Sequence, residues 1–389
     1  MRVLFPFLLI AHLGLSSAST IPFGTESLLQ QYFPDYRDGF RAIIKHECTT
    51  AYCEYMWELD RMEEAEFYHI NCNITEETYT QPSCINESDP DLNFDIVTGE
   101  TCLVDCMLSH TPELVKFRMA SAQVLLGLML SLLALLAPAT WKIGTIICVG
   151  RRPLLGFLFA VASPVVAPTF NTESSFQSFI SRRDREHIRV PSWIARNLLS
   201  EGPQPRNHWQ MMLQYSCWLL LYVLSMASAG NVAELAYRIT RQSILTFNFG
   251  ERWMLLFWVY SGLLPHALGV AAVCLRLKKL PPLAGPPGSE NPITEGSIRP
   301  KPRFRLLSSS FVSIILSWIG AVCSVLHVTF GALMFSSILF LSVGDAGMIL
   351  LRLFVSTVGV YSAVQLVIAI DRRRTEVVLS EESERPKSG

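Results

Sequence analysis

Long apolar runs alternate along the chain with polar stretches that carry most of the charge. Four long runs stand out and a fifth follows, near 120–140, 211–230, 253–275, 306–328 and 346–370. A helix needs about 20 consecutive apolar residues to cross a bilayer. The pattern therefore predicts five transmembrane helices, here called A to E in chain order. Two shorter runs, 154–167 and 331–343, have the length of re-entrant or interfacial segments.

The first residues match a secretory signal peptide. Met1 and Arg2 precede an apolar run up to Leu15, and small residues occupy 16–18. A basic start, a short apolar core and small residues at the cleavage point are typical of cleaved signals. The alternative is an uncleaved anchor, but the run is shorter than the roughly 20 residues of a span. We predict cleavage after Ala18.

The segment 19–118 has a composition unlike that of the remaining chain. Between 20 and 118 there are 19 acidic and 6 basic residues, a net charge of −13, whereas the whole chain has −1. Such asymmetry is typical of chains whose parts face different compartments. Helix-compatible stretches flank a turn-rich stretch at 71–99. We predict a small, mainly helical, acidic domain outside the cytosol.

Six of the ten cysteines lie in this segment: Cys48, Cys53, Cys72, Cys84, Cys102 and Cys106. An even set in an oxidising compartment predicts disulfides, and six cysteines allow 15 pairings. A zinc site is the alternative, but the spacings do not match the usual zinc-binding pairs. We expect the other four to be unpaired; they are Cys148, Cys217, Cys274 and Cys323.

Two glycosylation sequons lie in the same segment. They begin at Asn73 and Asn86 and read Asn-Ile-Thr and Asn-Glu-Ser. Their position after a signal peptide and beside cysteines predicts N-glycans on this domain.

Basic residues indicate the side of the membrane on which each loop lies, because Lys and Arg concentrate in cytosolic loops. With the N-terminal domain outside, helix A leads to a cytosolic segment, 141–210, with nine basic residues. Helices B and C form a hairpin around a short outer loop, 231–252, in which Glu234 would be solvated. The cytosolic loop 276–305 carries seven basic residues, and three arginines at 372–374 end helix E inside.

A seven-span topology is the alternative, in which both short runs cross the membrane. That topology would move the basic segments 170–210 and 276–305 outside, against the charge rule. A 14-residue helix over 154–167 would reach only about 21 Å, less than the roughly 30 Å hydrocarbon core. We therefore expect 154–167 to enter the membrane without crossing it.

These patterns divide the chain into six parts. A signal peptide (1–18) and the acidic domain (19–118) precede a first membrane region (119–275) that contains the loop 141–210. A basic, proline-rich linker (276–305), a second membrane hairpin (306–370) and a disordered cytosolic tail (371–389) follow. The expected fold is an all-α membrane protein, a five-helix bundle with a small disulfide-containing domain.

Four ionisable residues in or beside the predicted spans form a candidate intramembrane polar site: His266, His327, Asp345 and Arg352. Charged groups inside a membrane are costly and often functional. His266 follows Pro265 in helix C and is either a proton carrier or ligand, or a hydrogen-bonding partner of a neighbouring helix. Asp345 and Arg352 lie two turns apart, about 10 Å along a helix. They either pair with other elements, such as His327, or extend to the headgroups.

Several stretches resemble an uncharacterised family of multi-pass membrane proteins from filamentous fungi. The residues that carry the resemblance lie in order at 34–40, 119–128, 150–156 and 162–164, with a weaker match from Thr329 to Arg352. In that family a Thr-Pro pair follows the Leu-Leu-Gly stretch of helix A, whereas this chain has Met129 and Leu130 there. The resemblance implies a similar membrane architecture and a fungal source. It implies no catalytic residue.

No pattern points to a chemistry. The chain lacks the His-Glu-x-x-His, Gly-x-Ser-x-Gly, Walker and paired-aspartate protease motifs, and we predict no catalytic residue, cofactor or metal site. The chain shows no basic face interleaved with aromatic residues, so we do not expect it to bind nucleic acid. The leading hypothesis is a non-enzymatic surface or endomembrane protein in contact with the lipid bilayer, whose outer domain binds a ligand or partner. A transporter or channel lined by His266, Asp345 and Arg352 comes second, and an enzyme third.

Glycan mapping tests this topology. We expect glycosidase treatment to remove at most two glycans, and Asn73→Gln together with Asn86→Gln to abolish the gel shift. A sequon inserted in the linker 280–303 should stay unmodified, because we place it in the cytosol. Glycosylation of that sequon would favour seven spans.

Overall fold

The structure is a computed structural model of the 389-residue chain. It describes residues 35–59, 99–168, 208–245, 253–280, 303–307, 310–374 and 376–379, with single positions 70, 72, 74 and 84. The predicted signal peptide, both sequon asparagines, most of the proline-rich linker and the end of the tail lie outside the described residues.

Three short helices form the core of the N-terminal domain: α1 (Arg37–His46), α2 (Thr49–Glu58) and α3 (Gly99–Ser109). Their fully buried side chains include Ile44, Tyr52, Met56, Leu103 and Met107. All six cysteines of this domain are paired, as Cys48–Cys106, Cys53–Cys72 and Cys84–Cys102. The first bond joins α3 to the start of α2, and the other two join Cys72 to α2 and Cys84 to α3, which supplements a small apolar core.

Two helices in succession form the first crossing, α4 (Glu113–Leu136) and α5 (Thr140–Cys148). Ala137 and Ala139 are extended on either side of Pro138, which cannot donate a helical hydrogen bond and disfavours helix at the residue before it. α5 continues away from the N-terminal domain and packs along α9 (Leu263–Arg276). The start of 141–210, predicted as part of a cytosolic loop, is instead this helix, and its Trp141, Ile143 and Ile146 are buried in the bundle.

The short apolar run at 154–167 folds as α6 (Pro153–Ala162), antiparallel to α5. Its turn is made by Arg151 in the left-handed region, φ 54°, and Pro153 stands at the first helical position. Beyond Ala162 the backbone is irregular but buried, and Ala167 forms a bridge with Ala139 at the break between α4 and α5. The segment thus enters the bundle as a half-length helix.

The remaining crossings are α7 (His208–Gln242), α8 (Met254–Ser261) with α9, α10 (Phe311–Ser336) and α11 (Val343–Arg374). Five helical segments are long and apolar enough to span a membrane, so the described chain confirms five spans. The run at 331–343 is the end of α10 and the turn into α11. Leu128 and Leu135 on α4 are 60% and 75% exposed, as lipid-facing side chains are.

Five short strands in the described part of the chain lie at the two ends of the bundle. At the end that carries the N-terminal domain, β1 (Ile244–Leu245) pairs antiparallel with β4 (Ile338–Leu339). At the opposite end, β2 (Leu277–Leu280) pairs antiparallel with β3 (Arg303–Leu306), which pairs parallel with β5 (Glu376–Leu379). The hydrophobic pattern did not predict these strands because each is only a few residues long. The expectation that the whole tail 371–389 is disordered was wrong for 376–379, because these residues pair with β3.

The glycines of the spans provide a matched test of this packing. A Cβ at Gly331 of α10 would meet the Trp258 indole and lie 2.8 Å from Leu130 Cδ2, whereas one at Gly230 of α7 would meet nothing within 4 Å. We expect Gly331→Ala to destabilise by about 1–3 kcal/mol through overpacking. Gly230→Ala should be neutral or stabilise by up to about 1 kcal/mol. Thermal unfolding in detergent, followed by tryptophan fluorescence, measures both; equal shifts would contradict the contact.

Candidate functional site: polar groups inside the bundle

His327 of α10 connects three parts of the bundle. Its Nε2 lies 2.9 Å from the carbonyl of Pro164, at the irregular end of α6, and a carbonyl only accepts, so Nε2 donates. Its ring stacks on Trp258 at 5.2 Å, and the indole Nε1 of Trp258 donates to the His327 carbonyl at 2.9 Å. The Ser261 hydroxyl lies 3.1 Å from Nδ1. His327 thus attaches the tip of α6 to α8 and α10.

His266 of α9 is 2% exposed, and neither ring nitrogen has a hydrogen-bond partner among the described residues. One turn before His266, a Cβ at Gly262 would lie 3.2 Å from Nε2 of His327 on α10. Gly262 and His266 are four residues apart and share one side of the helix, so that side faces His327. The helix is interrupted at Gly262, one turn before Pro265, whose missing N–H leaves the Ser261 carbonyl without its helical donor. The two histidines therefore lie near one another, beside the tip of α6.

Arg352 of α11 forms a second polar group. The side chain is 4% exposed and donates from Nε and Nη2 to Oδ1 of Asn231, at 2.9 and 2.7 Å. Nη2 also forms an ion pair with the Glu234 carboxylate. Asn231 in turn donates from Nδ2 to the Ser356 hydroxyl at 2.8 Å. A buried cation needs such a counter-charge and filled hydrogen bonds, because desolvation is otherwise prohibitive.

This group corrects two expectations. Helix B was predicted to end near 230, with Glu234 solvated in a loop, but α7 continues to Gln242 and Glu234 lies on it, turned toward α11. Of the two alternatives for Arg352, the contacts support pairing with another element, because its guanidinium bonds to Asn231 and Glu234 of α7. Hydropathy alone ended the helix too early because it counts Asn231 and Glu234 as polar without knowledge of their partners.

Asp345, at the start of α11, faces the N-terminal domain. The Ser342 hydroxyl lies 2.5 Å from Oδ2 of Asp35 and 3.0 Å from Oδ2 of Asp345, so its single proton serves one carboxylate at a time. The Asp345 amide donates to the Ser342 Oγ at 2.9 Å, as at a helix N-cap. Partial burial raises the pKa of the adjacent Tyr36 phenol, and Arg118 acts against that shift. Asp345 thus belongs to the contact between domain and bundle.

The four residues of the predicted intramembrane site therefore divide among three places. Only His266 and His327 lie near one another, while Arg352 pairs with α7 and Asp345 lies under the N-terminal domain. Neither Asp345 nor Arg352 bonds to His327, which was one of the expected pairings. The partners that sequence reasoning missed are Asn231, Glu234, Ser356 and the Pro164 carbonyl.

One group has metal-ligand geometry but not the chemistry. Ligand atoms of Cys48, Cys106 and His110 lie within 4.8 Å of one another. The two thiols are joined in a disulfide, and zinc binds thiolates. The oxidised domain therefore has no zinc ligand set there.

A fourth disulfide contradicts one cysteine prediction. Cys148 at the end of α5 bonds to Cys274 near the end of α9, with Cα atoms 5.8 Å apart. Both were expected to be unpaired; 126 residues separate them, and the sequence gives no sign that α5 packs beside α9. Cys217 and Cys323 are free, as predicted.

Comparison with protein-family models, with curated proteins and with solved structures finds no match to this chain.

The Arg352 group gives a stability prediction. Arg352→Met leaves the Glu234 carboxylate and the Asn231 amide oxygen without their donor inside the bundle. We expect a loss of about 1–3 kcal/mol, less than for a fully buried ion pair, because the Glu234 side chain is 38% exposed. Glu234→Met added to Arg352→Met should recover part of that loss, because no uncompensated charge remains.

Lys116→Met is the control, since Lys116 pairs at 2.7 Å with an exposed carboxylate, that of Glu113. Lys116→Met should lower the free energy of unfolding by less than about 1 kcal/mol. Unfolding in mixed detergent micelles measures these three variants and the single variant Glu234→Met. Additive losses for Arg352 and Glu234 would contradict the pairing.

Proposed function

We propose that this is a non-enzymatic membrane protein of the secretory pathway, at the cell surface or in an endomembrane, whose N-terminal domain binds an extracytosolic ligand or partner. The observation that carries the proposal is the way in which this domain contacts the bundle. Met119 of α4, Ile244 of β1 and Leu339 and Phe340 after α10 belong to the same hydrophobic core as α1, α2 and α3. Binding at the domain would therefore act directly on the helices beneath it.

Specific contacts reinforce this shared core. The rings of Phe40 and Phe340 lie edge to face at 4.7 Å, a favourable aromatic geometry. Asp35 contacts Ser342 at the start of α11. Gln123 of α4 donates to the Ile338 carbonyl at 2.8 Å, which joins α4 to the strand pair below the domain. A ligand that moves the domain would thus move the ends of α4, α10 and α11.

Charge suggests the chemistry of the partner. The segment 20–118 holds 19 acidic and 6 basic residues. On the described part of the domain, Asp38, Glu47 and Asp105 are exposed. Complementary potentials speed association and exclude wrong partners. A partner with a basic contact surface therefore fits this domain best.

The disulfides and the basic residues support the orientation. Disulfides persist in oxidising compartments outside the cytosol, and three of them lie in the N-terminal domain. Exposed Lys278, Lys279 and Arg305 lie on the sheet at the opposite end, where Lys and Arg are typical of a cytosolic face. Both features favour an extracytosolic domain and a cytosolic C-terminus.

Transport is the second candidate function, and the tip of α6 favours it. Half-length helices and broken spans with irregular backbone inside the membrane occur where transporters bind their substrates. α6 ends beside the break between α4 and α5, next to His327. Against this, Arg352 is neutralised by Glu234 and lies apart from the histidines. The charged groups thus do not line a common path.

Photo-crosslinking tests the binding function. A photoreactive amino acid at Asp38 or Asp105 of the full-length protein, in its native membrane, should yield discrete protein adducts. The yield should fall several-fold between 0.1 and 1 M salt, because the Debye length drops from about 10 to about 3 Å.

The same amino acid at lipid-facing Leu128 or Leu135 is the control and should yield no salt-sensitive adduct. Equal labelling at domain and control positions would count against a partner on the domain. Solute flux across the membrane of lipid vesicles in which this is the sole protein would favour the transport function.

A further inference from the structure

The Cys148–Cys274 disulfide lies at the end of the molecule opposite the other three. α4 begins at Glu113 beside the N-terminal domain, and α4 and α5 together run through the bundle to Cys148. Cys274 lies two residues before the end of α9, which continues directly into β2 of the opposite sheet. An extracytosolic N-terminal domain therefore places this one pair at the cytosolic side.

We propose that Cys148 and Cys274 form a reversible thiol–disulfide modification site, reduced by cytosolic thiols and closed under oxidation, whereas the three disulfides of the N-terminal domain are permanent. The proposal rests on the orientation given under the proposed function. The cytosol keeps protein thiols reduced, and disulfides there are usually transient or redox-sensing. The geometry brings the two sulfurs to bonding distance without rearrangement of the helices.

The surroundings suit exchange with glutathione, an anionic thiol. Cys274 is exposed and Cys148 half-buried. Exposed Arg151 lies three residues after Cys148, and exposed Lys278 and Lys279 follow Cys274 closely. Positive charge near a cysteine stabilises its thiolate, which is both the leaving group in reduction and the nucleophile in oxidation. The same charges attract the carboxylates of glutathione.

The exchange balances in two steps. A glutathione thiolate attacks the exposed Sγ of Cys274, forms a mixed disulfide there and releases Cys148 as a thiolate. A second glutathione thiolate attacks the glutathione sulfur of that mixed disulfide and releases the Cys274 thiolate. The protein disulfide gains two electrons and two glutathione thiols become glutathione disulfide; oxidation runs the same steps in reverse.

The bond connects the cytosolic half of the first span to α9. Along this contact a Cβ at Gly144 would lie 3.0 Å from Val273 Cγ2, so the two helices already pack closely. α6 follows α5 after a short turn, and its tip is held by His327. Closure of the disulfide would therefore restrain α5 and the start of α6 against α9.

Thiol counting in living cells tests the proposal. The full-length protein carries Cys217→Ser and Cys323→Ser, which removes the two free cysteines. Cells are quenched in acid, and thiols are then blocked with N-ethylmaleimide in denaturant near neutral pH, where the thiolate forms. Disulfides are then reduced and labelled with a polyethylene-glycol maleimide that shifts the gel band once per thiol. We expect six shifts in resting cells, from the three disulfides of the N-terminal domain, and eight after diamide, a permeant oxidant of thiols.

Two further variants assign the change. Cys148→Ser or Cys274→Ser should prevent the rise to eight, since a single cysteine forms at most a mixed disulfide. If either variant misfolds, the protein that retains Cys148 and Cys274 still tests the proposal, because its shifts are compared with and without diamide. Eight shifts in resting cells would overturn the proposal, because the bond would then be permanent. Six shifts after diamide would overturn it as well, because the pair would not close.

Glycan mapping separates this failure from a failure of orientation. Eight resting shifts in a protein glycosylated on the N-terminal domain would leave the orientation intact and refute the redox site alone. Fewer than six resting shifts would mean that the domain itself is in a reducing compartment, and the orientation would fall together with the redox site.

Discussion

Backbone groups that leave a helix inside a membrane have no water to bond, and this constraint governs how the first span and α6 fit together. The break at 137–139 and the irregular end of α6 lie side by side, where Ala139 and Ala167 form a backbone bridge. The Pro164 carbonyl, which no helical donor reaches, accepts from His327 instead. The two breaks in helical structure thus provide backbone hydrogen-bond partners for each other. His327 of α10 provides one further donor.

The same constraint applies to charge. The Arg352 guanidinium faces α7 and is buried there, so it needs a counter-charge on that helix. Glu234 neutralises it, and Asn231 connects it to Ser356. The pair therefore favours extension of α7 well beyond its apolar run: the helix must continue past Gly230 to carry both partners to α11. Hydropathy scores Arg352 as unfavourable inside a membrane, yet its bonds to Asn231 and Glu234 attach α11 to α7.

Hydropathy and charge predicted the number of spans and the helical, disulfide-bonded domain, because span length and cysteine content are properties of the sequence itself. Pairings between distant residues were beyond such reasoning. α5 was assigned to a loop because the apolar run ends near 140 and nine basic residues follow, and the contact of Thr140 and Gly144 with α9 shows where it lies. Glu234 and Cys274 were misjudged for the same reason, since the partner of each lies more than 100 residues away.

The contact between the domain and the bundle joins parts of the chain that are far apart in the sequence. Asp35 and Ser342 are 307 residues apart, and the strand pair beneath the domain unites the end of α7 with the end of α10. Asp35 and Asp345 compete for one hydroxyl proton, whereas Phe40 and Phe340 pack edge to face in the apolar core that the domain shares with the bundle. The contact therefore combines an apolar core, which does not depend on charge, with two carboxylates at its edge, whose interaction with Ser342 depends on their charge.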